Sequence, residues 1–175
     1  MKEIQLTQGK VAIVDDEDFE FLNQYKWCVS KHSNTYYVVR RITVQSQNKR
    51  KNIKHKGKVI LIHRLIIARK LKRKLKLNEE IDHINGNGLD NRECNLRIAT
   101  SQQQNMNQKK QKRKTSSIYK GVYWRKDCKM WHSRIMIDSK YTHLGYFKDE
   151  IEAGRVYDKK AKELFGDFAC LNFKE

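Results

Sequence analysis

The stretch from Ile81 to Asn105 constrains this chain more than any other part of its sequence. It sets a carboxylate beside an imidazole, passes through a loop rich in Gly and Asn, and adds Asn residues 12 and 22 positions after His83. Apolar residues before and after the loop predict two strands, at 81–84 and 96–99. A hydroxyl at position 100 with Gln three residues later is a capping-box pattern, so a helix should begin there and carry Asn105.

The polar residues of this stretch are the types that phosphodiester hydrolysis needs. Carboxylate and amide oxygens are hard ligands for a cation such as magnesium, and Asp82 and Asn105 can supply them. A neutral imidazole activates water, and His83 should be neutral near pH 7 because its ordinary pKa is about 6.5. Taken singly, each residue could also be an ordinary turn, strand or helix residue. The combination predicts a metal-assisted hydrolase.

The order Asp-His, loop, Asn-Leu-Arg and helix-borne Asn resembles the HNH nucleases, in the variant whose third signature residue is Asn. The resemblance implies a ββα-metal module with a catalytic set of His83 and Asn95 and with Asp82 and Asn105 as metal ligands. Asn95 would hold the loop and His83 in place rather than contact the substrate. The implied cofactor is a divalent metal, Mg²⁺ with Mn²⁺ as the other option. A structural zinc is not expected, since no two of the four cysteines form a C-x-x-C pair.

Charge predicts a polyanionic partner independently of any motif. The chain holds 38 Lys and Arg against 20 Asp and Glu, for a formal charge of +18. No carboxylate occurs between Glu20 and Glu79, whereas solvated faces usually mix the two signs. An excess of this size favours association with nucleic acid.

The N-terminal part is expected to be rich in β-structure. Alternation at 10–14 predicts a strand, a short helical turn should follow, and runs at 27–29 and 36–39 predict a hairpin around residues 32–34. A buried strand at 59–62 should lead into a helix over 63–71. His63, which precedes Arg64, could pack under the active site or contact a phosphate. The favoured interpretation is a structural histidine with satisfied hydrogen bonds, and His63 is left outside the catalytic set.

A basic run divides the chain. Five of the six residues from Lys109 to Lys114 are cations, and such a run resists packing. The predicted domains are a basic extension at 1–58, the nuclease module at 59–108, a linker at 109–116 and a further domain at 117–175. The predicted fold class is α+β.

The pattern after the linker changes to three alternating strands, at 119–124, 131–137 and 141–147, which predict an antiparallel sheet. Asp149 then opens a helix in capping-box spacing, and Gly166 is suited to end it. The apolar stripe of this helix is predicted to cover one sheet face, leaving the other exposed. The predicted stripe consists of Ala153, Val156, Tyr157, Ala161 and Leu164.

Several separated blocks of this region resemble the Apetala-type domain of plant ethylene-response transcription factors. They include Tyr119–Trp124, Leu144–Phe147 and Leu171–Phe173. In that family a three-stranded sheet lies in the major groove of DNA. The resemblance implies a DNA-binding face made of Lys120, Tyr123, Arg125, Arg134, Met136, Tyr141 and His143. The plant pattern has Arg at positions 123 and 136, an acid at 134 and Trp at 143, so the base preference does not transfer.

Both resemblances together predict a homing-type HNH endonuclease, in which a sequence-reading domain is joined to a metal-dependent module. The alternatives are a non-catalytic DNA-binding regulator on a retired HNH scaffold and an RNA-binding protein. The expected partner is double-stranded DNA, with no membrane and no obligate protein partner, and the chain should be a monomer or weak dimer. Because no apolar leader or membrane span is apparent, the expected location is the cytoplasm of a bacterial or phage-infected cell.

Overall fold

The computed structural model describes residues 1–32, 35–42, 57–110 and 115–173. These residues form a mixture of helices and antiparallel sheets, which confirms the predicted α+β class. They group into two compact units, Met1–Thr100 and Ser101–Glu175. The finer division into four segments, with its linker at 109–116, stays a prediction, and residues 111–114 of that linker lie outside the described part.

The described residues of the first unit form seven strands and two α-helices. The elements are β1 (Lys2–Gln5), β2 (Val11–Val14), α1 (Asp16–Asn23), β3 (Cys28–His32), β4 (Thr35–Ile42), β5 (Lys58–Leu61), α2 (Ile62–Lys70), β6 (Glu80–His83) and β7 (Leu96–Ala99). The strands pair in three antiparallel sheets, β1 with β2, β3 with β4 and β5, and β6 with β7. The predicted strands of the first hairpin are therefore confirmed, although residues 33–34 of its turn are not described.

One hydrophobic core joins the beginning of the first unit to its end. Ile4, Leu22 and Trp27 from the N-terminal part pack in the same cluster as Ile66 and Leu96. Each of these side chains is nearly inaccessible to solvent. Because burial of apolar surface is the main stabilising contribution to a domain, the N-terminal elements that carry these residues and the strands of the motif depend on each other for stability.

The described residues of the second unit form a short α-helix, a three-stranded sheet and a longer α-helix that is followed by a 3-10 turn at Gly166–Phe168. The elements are α3 (Ser101–Asn107), β8 (Val122–Arg125), β9 (Met130–Ile137), β10 (Lys140–Phe147) and α4 (Glu150–Phe165). The strand order is β8-β9-β10 and both pairs are antiparallel, as the alternation predicted. The helix predicted to begin after Thr100 is α3.

Helix α4 begins and ends where capping chemistry predicts. The carboxylate of Asp149 accepts hydrogen bonds from the main-chain N–H groups of Ile151 (3.3 Å) and Glu152 (3.2 Å). Gly166 follows the last turn with φ of 51°. Part of the predicted stripe was wrong: Leu164 is exposed and Phe165 packs against the core instead. Adjacent residues of a helix lie about 100° apart around its axis. An apolar face that is shifted by one residue therefore buries Phe165 in place of Leu164.

The approach of α4 to the sheet requires a glycine at one position. Gly121 has φ of +79°, and a Cβ there would overlap the ring of Tyr157 on α4. Tyr157 packs with Ile135 of β9 and with Ala161 in the core of this unit. No helix in the described part of the chain has both the length and the apolar character needed to cross a bilayer.

Candidate active site and nucleic-acid interface

The β6–β7 hairpin carries the first two candidate residues. Asp82 pairs across the ladder with Arg97, and His83 pairs with Leu96. Both polar side chains are buried, with 8% of Asp82 and 5% of His83 exposed. The Oδ2 atom of Asp82 accepts from Nε (2.9 Å) and Nη2 (2.8 Å) of Arg97. Charged groups in a protein interior are usually paired with an opposite charge, and the guanidinium of Arg97 is the partner of the Asp82 carboxylate.

Asn95 joins the two ends of the loop between β6 and β7. Its Nδ2 atom donates to the carbonyl of Asp90 at 2.7 Å, and its Oδ1 atom accepts from the N–H of Asn85 at 3.0 Å. Its own carbonyl accepts from the N–H of Ile84 at 2.9 Å. These contacts suit the predicted role in holding the loop, and the catalytic role of Asn95 stays a prediction.

The N-terminal strands support this loop from outside the signature segment. Ile13 of β2 donates to the carbonyl of Leu89 (2.9 Å) and accepts from the N–H of Asn91 (2.8 Å). On β4, the hydroxyl of Thr35 accepts from the N–H of Gly88, at 3.2 Å. A Cβ at Gly88 would meet the main chain of β4, so a side chain at that position would push the loop away. The sequence left the role of residues 1–58 open. These contacts show that Ile13 and Thr35 support the loop between β6 and β7.

His83 belongs to a cluster of aromatic rings. Its ring lies 5.0 Å from that of His63 in an edge-to-face arrangement and 5.8 Å from that of Tyr37. Burial is the largest effect on His83 and lowers its pKa below 6.5, although Asn91, Asp82 and Asp90 oppose that change. The imidazole is therefore neutral at pH 7, as a base requires.

His63 differs from its interpretation as a satisfied structural histidine. It is buried, and its Nδ1 atom has no hydrogen-bond partner among the residues that the structure describes. Burial, with smaller contributions from His83 and Arg64, lowers the pKa of His63 to about 3. A buried imidazole with an unpartnered ring nitrogen favours the neutral form, because the charged form loses its hydration.

Asn105 lies on α3, which groups with the second unit. It is exposed, and its Oδ1 atom accepts from the side chain of Gln108 at 3.1 Å. Within the described residues there is no cluster of three or more His, Cys, Asp or Glu side chains that could bind a metal. The predicted ligands are one carboxylate and one carboxamide, and hard oxygens of this kind fit Mg²⁺, which usually retains several waters. Binding of one metal by Asp82 and Asn105 stays a prediction.

Most of the predicted DNA-binding residues are found on β8, β9 and β10. The guanidinium of Arg134 lies over two rings, 4.6 Å from that of Tyr123 and 3.7 Å from that of Tyr141. Tyr141 and Met136 are more than half exposed. Arg125 is ion-paired with Asp127. Cationic groups held against exposed aromatic rings are typical of surfaces that contact nucleic acids.

A buried histidine lies within this aromatic surface. His132, on the face predicted to be open, is nearly inaccessible because it contacts the rings of Tyr123, His143 and Tyr146. Its two ring nitrogens hydrogen-bond to the hydroxyl of Tyr123 and to Nδ1 of His143. The expectation of a fully exposed face was therefore wrong at His132, since bulky neighbours on both adjacent strands cover it.

Lys120 is separated from the other predicted DNA-binding residues by its contacts. Its ammonium group donates to the carbonyls of Met106 and Gln108, at 2.7 Å each. Burial lowers the pKa of Lys120. The side chain therefore satisfies carbonyls at the end of α3, and its contact with DNA stays a prediction.

Sequence reasoning missed three residues at these sites: Asn91, His132 and Tyr146. Asn91 is fully buried and its Oδ1 atom lies 3.3 Å from Nε2 of His83. Nothing in the loop sequence distinguishes this Asn from its neighbours Asn85 and Asn87. Period-two alternation did place His132 on the face of Arg134, but the sequence reasoning assigned it no role.

A strand–loop–strand hairpin that carries adjacent Asp and His residues suits a small nuclease, and sequence comparison supports that class. The profile of the HNH endonuclease family matches residues 61–106. A protein named "Uncharacterized HNH endonuclease L560" from Acanthamoeba polyphaga mimivirus is 31% identical over 166 residues, covering 94% of this chain and 76% of that protein. This chain belongs to the HNH endonuclease family. Membership indicates a nuclease with DNA as its substrate.

Two other similarities cover parts of the chain. "Protein 3.8" of Escherichia phage T7 is 35% identical over 89 residues, which are 51% of this chain and 72% of the phage protein. "APETALA2-like protein 2" of Oryza sativa subsp. indica is 39% identical over 61 residues, 34% of this chain but 14% of the rice protein. Comparison with solved structures gave no significant match.

Proposed function

We propose that this chain is a metal-dependent, site-specific DNA endonuclease of the homing type. The observation that carries the proposal is the buried pair at the end of β6, where Asp82 is compensated by Arg97 and His83 is kept neutral. A neutral imidazole beside a carboxylate in a hairpin held by Asn95 supplies the base and one metal ligand of a phosphodiester hydrolase.

The protein residues divide the reaction among them. His83 accepts a proton from the water that attacks phosphorus. Asp82 and Asn105 would each offer one oxygen to a divalent cation, Mg²⁺ or alternatively Mn²⁺. Asn95 keeps the loop and His83 in position. When bound, the cation stabilises the negative charge that develops on the phosphate and on the leaving 3′-oxygen.

We further propose that the second unit reads the target. Its support is the exposed, arginine- and tyrosine-bearing surface of β8–β10, together with the similarity to the rice protein. Contacts to phosphates position a protein on DNA, whereas base edges carry the sequence information. A hairpin nuclease joined to a sheet that contacts base edges would therefore cut at a preferred site. A single catalytic set per chain predicts a nick unless two chains act together.

A nicking assay tests the proposed activity. Supercoiled plasmid incubated with the whole chain and Mg²⁺ should become open-circular, and EDTA should stop the reaction because the cation is removed. Mn²⁺ should restore it. Plasmid that is bound but not nicked in either metal would favour the alternative, a non-catalytic regulator in which Arg97 holds Asp82 permanently.

Substitution of Arg134 tests the proposed reading surface. Arg134→Ala should weaken binding to a preferred duplex by about 1–3 kcal/mol and relax selectivity at one base pair, because Arg pairs with guanine through two hydrogen bonds. The preferred duplexes are found by selection from a random library, followed by sequencing. Lys159→Ala on α4 removes an equal charge and should leave the selected sequences unchanged. The same enriched sequences for Arg134→Ala and wild type would contradict the proposal.

A further inference from the structure

The ring of His83 is held by side chains from three separate elements. Nε2 lies 3.3 Å from Oδ1 of Asn91 in the loop. The edge-to-face contact with His63 of α2 and the contact with Tyr37 of β4 restrict the ring on other sides. A ring restrained in this way presents each of its two nitrogens in a defined direction. Which nitrogen carries the proton then decides what the imidazole can do.

The contacts of Asn91 determine which of its side-chain atoms faces the imidazole. Its Nδ2 atom donates to the carbonyl of Gly88 at 3.5 Å, and a carbonyl oxygen can only accept. The amide nitrogen is therefore directed to Gly88 and the amide oxygen to His83. Because that oxygen is also only an acceptor, Nε2 of His83 must be the donor. In a neutral imidazole the lone pair is then on Nδ1.

The main chain fixes Asn91 in this position. Its N–H donates to the carbonyl of Ile13 at 2.8 Å, and an isolated bridge links Ile13 to Asp90. The carboxylate of Asp90 accepts from Nε (2.8 Å) and Nη2 (2.7 Å) of Arg92 and from the amide of Asn85 (3.0 Å). Asn91 itself is wholly inaccessible to solvent. With the main chain fixed in this way, the contacts of the side-chain amide with Gly88 and His83 favour the orientation that directs its oxygen to the imidazole.

We propose that Asn91 is a positioning residue that sets the tautomer of His83, with the proton on Nε2 and Nδ1 as the base. The inference rests on the proposed function and assigns the atom that acts in it. One O–H bond of the water breaks and its proton goes to Nδ1. The water oxygen forms the new bond to phosphorus, and the bond from phosphorus to the 3′-oxygen breaks. Residues that fix a histidine tautomer commonly hydrogen-bond to the ring nitrogen that does not take part in the reaction.

Nitrogen NMR of the whole chain tests the tautomer without any assay of activity. The protein is labelled with ¹⁵N-histidine, and the His83 signals are assigned by their loss in His83→Gln. We expect a proton on Nε2 and none on Nδ1 at pH 7.5. Asn91→Leu should lower the fraction of His83 with its proton on Nε2, because Nε2–H loses its acceptor, whereas Asn91→Asp should keep that fraction because its carboxylate still accepts from Nε2. A proton on Nδ1 of His83 in the wild type would overturn the inference.

Kinetics provide the second readout. Asn91→Leu should lower kcat for plasmid nicking by about 10–100-fold with KM unchanged, since the substitution affects the base and not the substrate contacts. Asn91→Asp should keep kcat within about tenfold of the wild type. Asn78→Leu, at an exposed turn outside the loop, should change neither constant.

The two proposals fail separately. A wild type that nicks no DNA overturns the proposed function, while the nitrogen shifts still decide the tautomer. Equal kcat in Asn91→Leu and wild type overturns the positioning role. If Asn91→Leu does not fold, the wild-type tautomer and the rescue by Asn91→Asp carry the decision.

Discussion

His83→Ala should lower the rate of plasmid nicking by about 10²–10⁴-fold, because loss of a general base typically costs that factor. The side chain is buried and neutral, and its neighbours hold it in one orientation. Water that replaces the imidazole is a weaker base and is not held in that direction. Binding of plasmid in EDTA should change little, since His83 contributes no charge to the DNA-binding surface.

His32→Ala is the matched control for this substitution. His32 also lies in the first unit but is exposed, so its removal should leave the nicking rate within about twofold of the wild type. Nicking by His83→Ala at the wild-type rate would exclude His83 as the base. Family membership would be unaffected by that result, because it stands on the sequence comparison.

The second large effect is expected in the pH dependence of stability, through His63. Its pKa is about 3 in the folded chain against 6.5 ordinarily, so between these values the unfolded chain binds a proton that the folded chain does not. The free energy of unfolding should therefore fall as pH drops from 6.5 towards 3. Between pH 7 and pH 4.5 the loss due to His63 should be roughly 2–3 kcal/mol, at about 1.4 kcal/mol for each pH unit below 6.5.

His63→Gln separates this contribution from that of other titrating groups. The variant keeps a neutral polar side chain at all pH values, so its unfolding free energy should decline less with acidity than that of the wild type. Urea unfolding can be followed by the fluorescence of Trp27 in a background with Trp124→Phe and Trp131→Phe, which leaves Trp27 as the sole tryptophan. His32→Gln serves as the exposed control. Parallel pH curves for His63→Gln and the wild type would contradict the burial argument.

Local patterns accounted for most of the secondary structure. The loop between two short apolar runs predicted β6 and β7, and the capping signal predicted the start of α3. Alternation predicted β9, and Asp149 predicted the first turn of α4. These predictions succeeded because strand alternation, helix capping and turn residues act over a few positions in the chain.

Long-range contacts accounted for the differences. His132 was expected to be open but is covered by neighbouring rings. Lys120 donates to carbonyls at the end of α3, a contact that the sequence did not predict, and its contact with DNA stays a prediction. The outcome at each position depends on residues that are distant in the sequence and become neighbours only when strands and helices pack. The periodicity of residue types along the chain does not predict contacts between residues that are distant in the sequence.

The sequence by itself determined the α+β class, the order of the Asp-His pair and its Asn residues, and the strong preference for a polyanion, since each follows from residue type and spacing. Only the tertiary structure decided that Asn91 faces His83, that His63 is buried beneath it, and that Ile13 anchors the loop. The physical reason is that burial and hydrogen-bond geometry depend on which surfaces the folded chain brings together.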